Sequence, residues 1–168
     1  VIIAAMYRDA FEPEMNAKIA EIKRELARTE PNLVIELHKT EKPEQVMALG
    51  VQEGILRALY TAHNGVYRMS ADMPGLVETS NNVASVKIHG GQIEIKCLTR
   101  SSVESSKLDL AQALRAAFEL AGCEVTFSGS YPGWTPNVGS EILTVLVDIY
   151  EKQNGTKPRV VACHAGLE

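Results

Sequence analysis

KIHGGQIEIKCLTRSS, from Lys87 to Ser102, reads as two amphipathic strands folded about a glycine pair. Gly90-Gly91 suits a two-residue hairpin turn with positive φ at both central positions. Counting outward pairs Ile88 with Ile93 and Val86 with Ile95 on one face. The other face sets Lys87 against Glu94, opposite charges directly across the ladder. Turn chemistry and alternation agree on one register. The second strand ends on Arg100, which shares a face with Glu94, Lys96 and Leu98 and lies opposite the Ile93, Ile95, Cys97 face.

The elements on either side follow the same logic. Downstream, Ser101 and Glu104 have capping-box spacing. The helix they announce carries Leu110, Leu114, Ala117, Phe118 and Ala121 on one face and stops at Gly122. Cys123 to Ser128 reads as a strand. Upstream, Val1 to Tyr7 reads as a strand. Asp9, Glu12 and Pro13 mark a helix start, and Met15, Ile19, Ile22 and Leu26 form its apolar stripe. Pro31 closes that unit, and Leu33, Ile35 and Leu37 alternate as a half-buried strand. A second helix is expected from near Pro43, with Val46, Leu49, Leu56, Leu59 and Tyr60 on its apolar face. Gly50 and Gly54 weaken it by about 1 kcal/mol each relative to Ala. Asn64-Gly65 is its stop signal, and Val66 to Ser70 is a short strand. The order predicts an α+β fold, a two-layer antiparallel sheet with helices packed on one face.

Two prolines and a glycine in Tyr131–Pro136 (YPGWTP) mark a connector. Beyond it, a helix over 140–153 presents Ile142, Leu146, Ile149 and Tyr150 and is closed by Asn154-Gly155. Arg159 to Cys163 has the almost wholly apolar character of a strand buried on both faces. One helix and one such strand cannot make a core, so this tail calls for a sheet the chain does not supply. The chain opens directly on an apolar run at Val1 and stops soon after that last strand, so a piece of a longer protein is expected.

Composition narrows the function. Of the 168 residues, 45% are hydrophobic and the net charge is −4, enough for a core and unlike a disordered chain. No basic cluster of the kind that binds nucleic acid is present. No apolar run approaches the roughly 20 residues of a membrane-spanning helix, and no secretory leader is visible. Cys97, Cys123 and Cys163 are three and widely spaced, the pattern of reduced thiols in a cytoplasmic protein.

The residues offer little for bond-making chemistry. A catalytic zinc needs about three protein ligands, and no HExxH, paired CxxC or HxD occurs. His38 and His89 are expected on exposed strand faces and His63 at a helix end, facing the last carbonyls. Cys163 and His164, adjacent on a strand, point to opposite faces. No GxSxG elbow is present, and capping accounts for Ser101, Ser102, Ser105 and Ser106. Arg100 has two readings, a solvated surface arginine or an anion clamp. A guanidinium at a strand end can hold a carboxylate bidentately, with charge-assisted bonds about twice as strong as neutral ones. His164 to Glu168 leaves a strand end where ligands commonly bind in α/β sheets.

Taken together, MPGLVETSNNVASV (Met73–Val86), IEIKCLTRSSVESSK, YPGWTPN and VVACHAGLE resemble the cytosolic aminoacyl-histidine dipeptidases, also called peptidase D or Xaa-His dipeptidase. The resemblance runs from about Asn64 to Glu168. It implies a longer chain with a catalytic α/β domain holding two zinc ions and an inserted lid domain that forms the dimer interface. The zinc ligands and the acid-base glutamate then lie outside this segment. On this resemblance, residues 1–129 are the later part of the lid and residues 130–168 begin the returning catalytic domain. Arg100 matches the lid arginine that holds the substrate's terminal carboxylate. Asn82 falls at a polar position near the cleft, Ala165-Gly166 matches the glycine loop of the substrate pocket, and Glu168 matches the glutamate after it. The implied function is cytoplasmic hydrolysis of dipeptides, Xaa-His among them, by a homodimer, with this segment inactive alone. The competing reading is a stand-alone, non-catalytic α+β module for dimerisation or amino-acid binding.

Overall fold

The computed structural model describes residues 5–162 and divides the chain into two units between Val46 and Met47. In the first unit, a 3-10 turn at Ala5–Tyr7 leads into α1 (Arg8–Glu25). The expected strand at Val1 to Tyr7 is therefore replaced by helix over its described part, and residues 1–4 lie outside the described residues. Because the helix starts before Asp9, that residue cannot cap it. Glu12 instead accepts from Arg8 Nε at 2.6 Å, one turn away, and Pro13 lies inside the helix. Phe11, Met15, Ile19 and Ile22 are half-buried, and no residue of α1 is buried.

The strand expected over Leu33–His38 does not form. The segment has no ladder partner among the described residues, and Val34 and Leu37 are exposed. A strand exists only where a neighbour takes up its backbone groups, which alternation alone does not supply.

The second unit holds α2 (Leu49–Thr61), β1 (Gly65–Met69), β2 (Val77–His89), β3 (Gln92–Ser101), α3 (Glu104–Leu120) and α4 (Glu141–Asn154). The three strands form one antiparallel sheet in the order β1-β2-β3. The hairpin register is the expected one, with Val86 opposite Ile95, Lys87 opposite Glu94 and Ile88 opposite Ile93. Gly90 and Gly91 turn it at φ of 57° and 75°, a conformation costly for any side chain. The polar stretch before the hairpin is itself strand, so β2 runs for 13 residues. A register shift between Val83 and Ser85 bulges Ala84 out of the ladder. It lets Val83 and Asn81 share the face of Val86 and Ile88, as an inserted residue in one strand must.

That face carries the core. Ala58, Ala62, Leu110, Leu114 and Phe118 are buried together, with Leu59, Val83, Ile95, Ala121, Cys123 and Val125 against them. The α3 stripe is as expected. Its end is a Schellman motif, with Cys123 N donating to Phe118 O at 3.0 Å, Gly122 N donating to Glu119 O at 2.9 Å, and Gly122 at φ 80°. The face of α2 is not as expected. Val46, Leu49, Leu56 and Tyr60 are exposed, Tyr60 by 96%, while Ile55, Ala58 and Ala62 are buried. Small residues let α2 lie close to α3. A methyl at Gly54 would touch Ala121 Cβ at 3.8 Å. The helix also begins six residues after Pro43 and is closed at Ala62, so Asn64-Gly65 opens β1 instead of stopping α2.

The segment Cys123 to Ser128 forms no ladder, although Cys123 and Val125 pack on the core. Arg115 lies 4.2 Å above the Phe127 ring. The connector has no regular structure but is pinned. Lys107 Nζ donates to Tyr131 O at 2.7 Å and Ser130 Oγ at 3.1 Å, and pairs with Glu104 at 2.8 Å. Thr135 Oγ1 donates to Ser102 O at 3.1 Å. Beyond it, α4 leaves Ile142, Leu146, Ile149 and Tyr150 exposed. The described part of the expected last strand, 159–162, is unpaired, and Val160 and Val161 are exposed. A strand meant for burial on both faces has no neighbour here to bury it.

Candidate functional site

Across the sheet from the core, side chains of β2 and β3 alternate onto an outer face. Ser80 stands opposite Arg100 and Asn82 opposite Leu98, so Arg100 and Asn82 are diagonal neighbours on that face. With Asn64, Gly65, Val66 and Val77 they line an open recess of about 400 Å³. Two of the four expected site residues, Arg100 and Asn82, are thus brought together. Gly166 and Glu168 lie outside the described residues. Arg100 and Asn82 are both exposed, which suits groups that meet a ligand from solvent. A larger groove of about 930 Å³ runs between β3 and the 123–134 segment, and Arg100, Leu98 and Val77 border both hollows.

The framework under the recess is a set of hydrogen-bonded polar groups around the buried Asn81. Asn81 Nδ2 donates to His63 O at 2.7 Å, and Thr99 Oγ1 donates to Asn81 Oδ1 at 2.9 Å. Val83 N donates to Asn64 Oδ1 at 2.8 Å, tying the α2–β1 junction to the sheet. Cys97 is exposed as a residue, yet partial desolvation of its thiol pushes the pKa up, opposed by a hydrogen bond with Asn81. At the end of β3, Thr79 Oγ1 is 2.8 Å from Ser101 Oγ and 2.9 Å from Ser106 Oγ. Ser101 does not cap α3 as its spacing suggested. Val103 occupies the cap position without a side-chain bond, and Ser101 Oγ accepts from Val103 N at 3.0 Å. A cap needs its side chain beside the first free amides of the helix, whereas Ser101 is still a strand residue.

Among the described residues, no three His, Cys, Asp or Glu side chains are grouped to hold a metal ion. His38 is exposed beside Glu36 at 2.9 Å, on unpaired backbone rather than on a strand face. His89 is exposed at the end of β2. His63 follows the end of α2. Its ring packs edge-on to Tyr67 at 5.2 Å and its Nε2 is buried without a hydrogen bond. Asn81, buried and bonded under the recess, was not singled out from sequence. Its neighbour Asn82 came in through the family resemblance, which implies a polar position near the cleft.

A cation and an amide thus share one outer strand face, above a bonded polar framework. No family model matches the sequence. Along its whole length, however, the chain is similar to a segment of the dipeptidases, a class of hydrolases. It is 32% identical over 168 residues to the cytosol non-specific dipeptidase of Escherichia coli (strain K12), covering all of this chain and 35% of that protein. The crystal structure of aminoacylhistidine dipeptidase from Vibrio alginolyticus superposes with a TM-score of 0.91 at 35% identity, over 98% of this chain and 34% of that one. The chain therefore spans about a third of the length of the relatives it matches. Among the described residues, no helix is long and apolar enough to cross a membrane.

Proposed function

We propose that this chain is the substrate-recognition segment of a cytoplasmic, zinc-dependent dipeptidase that hydrolyses dipeptides, Xaa-His among them. The observation that carries the reading is the meeting of Arg100 and Asn82 at one recess in a chain whose relatives are dipeptidases. Arg100 clamps the terminal carboxylate of the substrate through its guanidinium fork, and Asn82 adds neutral hydrogen bonds beside it. Gly166 and Glu168 are assigned as further substrate-binding residues. Residues 1–129 form the later part of a lid through which two copies dimerise, and residues 130–168 begin the returning catalytic domain.

The described residues do not fit a zinc site. The two zinc ions and their ligands are assigned to sequence outside this chain, which on its own binds and does not cleave.

The test is substitution of Arg100 in the full-length protein. Arg100→Ala should lower kcat/KM for dipeptides by roughly 2–4 kcal/mol, the loss of a charge-assisted pair. Arg100→Lys should recover part of it, since a point charge replaces the fork. An unchanged specificity constant in Arg100→Ala sinks the clamp.

A further inference from the structure

Asn81 lies at the floor of the recess, which it helps to line, and its place in the sheet gives it a part in the site. The residue is 2% exposed and faces the helix layer. Its amide bonds in both directions, to His63 O at 2.7 Å and from Thr99 Oγ1 at 2.9 Å. One primary amide thus joins three stretches of backbone, the α2–β1 junction, β2 and β3. The residues adjoining these three anchors are Asn64 after His63, Ser80 and Asn82 flanking Asn81, and Leu98 and Arg100 flanking Thr99. All of them line the recess. Successive strand residues point to opposite faces, so holding Asn81 and Thr99 below fixes the aim of Ser80, Asn82, Leu98 and Arg100 above.

We infer that Asn81 is a positioning residue of the recess, with Thr99 as its partner, setting the spacing between Arg100 and Asn82 that a substrate carboxylate meets. The inference rests on the reading of Arg100 as the carboxylate clamp. The physical need is clear in a bidentate contact. A guanidinium and a carboxylate match only in one plane and at one distance, and a misplacement of about 1 Å can cost on the order of a hundredfold.

The test uses the full-length dipeptidase. Thr99→Val keeps the shape and removes the hydroxyl donor, whereas Thr99→Ser keeps the donor. Asn81→Ala removes the bonds to His63 O and from Thr99 Oγ1 together with the one shared with Cys97. Thr99→Val and Asn81→Ala are expected to raise KM for a dipeptide about tenfold with kcat changed less than about threefold, and Thr99→Ser to stay near the parent. In an Arg100→Ala background, Thr99→Val should add less than about twofold, because it acts through the arginine. A KM within about twofold of the parent for Thr99→Val, with only the thermal midpoint lowered, overturns the inference, as does full additivity with Arg100→Ala. Should Asn81→Ala fail to fold, the Thr99→Val and Thr99→Ser pair still decides. An Arg100→Ala protein with unchanged kcat/KM overturns the clamp itself, and is read separately from the Thr99 arm.

Discussion

Gly133 is predicted to be irreplaceable for want of space, not for its backbone angles. It is not among the glycines with positive φ. A Cβ placed on it would lie 2.8 Å from both the carbonyl carbon and the oxygen of Ser102 and 2.9 Å from Ser101 O. All three are backbone atoms at the end of β3, where no side chain can swing aside. Ordinary contact between carbon atoms is about 3.5–4.0 Å, so Gly133→Ala must push the connector back by about 1 Å. The Gly133 N to Glu104 Oε2 bond is 3.2 Å and the Thr135 Oγ1 to Ser102 O bond 3.1 Å. A shift of that size takes both beyond about 4 Å and breaks them. At about 0.5–1.5 kcal/mol each, the loss is about 1–3 kcal/mol, the range also found for overpacking. Urea unfolding should show that loss, and limited proteolysis should show faster nicking between Tyr131 and Pro136. Gly50→Ala is the control. It has nothing within 4 Å of an added Cβ and sits in a helix, so it should stabilise by up to about 1 kcal/mol. An unchanged midpoint and nicking rate for Gly133→Ala would refute the reasoning.

Two further outcomes follow from the core and the connector. Leu110, the fully buried side chain at the centre of the α3 stripe, should cost about 2.5–5 kcal/mol on truncation to Ala, while Leu120, 90% exposed, should cost under about 0.5 kcal/mol; equal losses in urea unfolding contradict the assigned core. Glu104 is held below its ordinary pKa of 4.5, first by its hydrogen bond with Lys107 and then by the Gly133 amide. With the folded pKa below the unfolded one, the clamp on the connector is fully present above the ordinary value and is lost as pH falls through the depressed one. Protease nicking at the connector by an acid-tolerant protease should therefore accelerate only at the acid end of a titration from about pH 7 to pH 3, and a rate flat across that range speaks against the clamp.

The hairpin, the α3 stripe, the Gly122 stop and the connector were legible because each is written in neighbouring residues. Gly90-Gly91 and the alternation around it fix a register with no distant information. The face of α2 was not legible. Its hydrophobic ranking points to Leu49, Leu56 and Tyr60, but close approach to α3 selects Gly54, Ala58 and Ala62 for their small size. The strand over 33–38 failed for a related reason, since alternation states what a strand would bury and not whether a partner strand exists. At the site, Arg100 could be placed on the outer face by counting, but its meeting with Asn82 waited on the register of β2 against β3 and on the bulge at Ala84.

By itself, then, the sequence determined the antiparallel hairpin, the amphipathic α3 and the presence of a fixed cation at the end of β3. These depend on turn chemistry and on periods of two and 3.6 residues. The tertiary structure alone decided that Asn81 is buried between His63 and Thr99, that Gly133 lies against Ser102, and that Arg100 opens onto a recess beside Asn82. Those facts belong to residues 18 to 31 positions apart, and such pairs meet only once the backbone has been folded and its polar groups must find partners out of water.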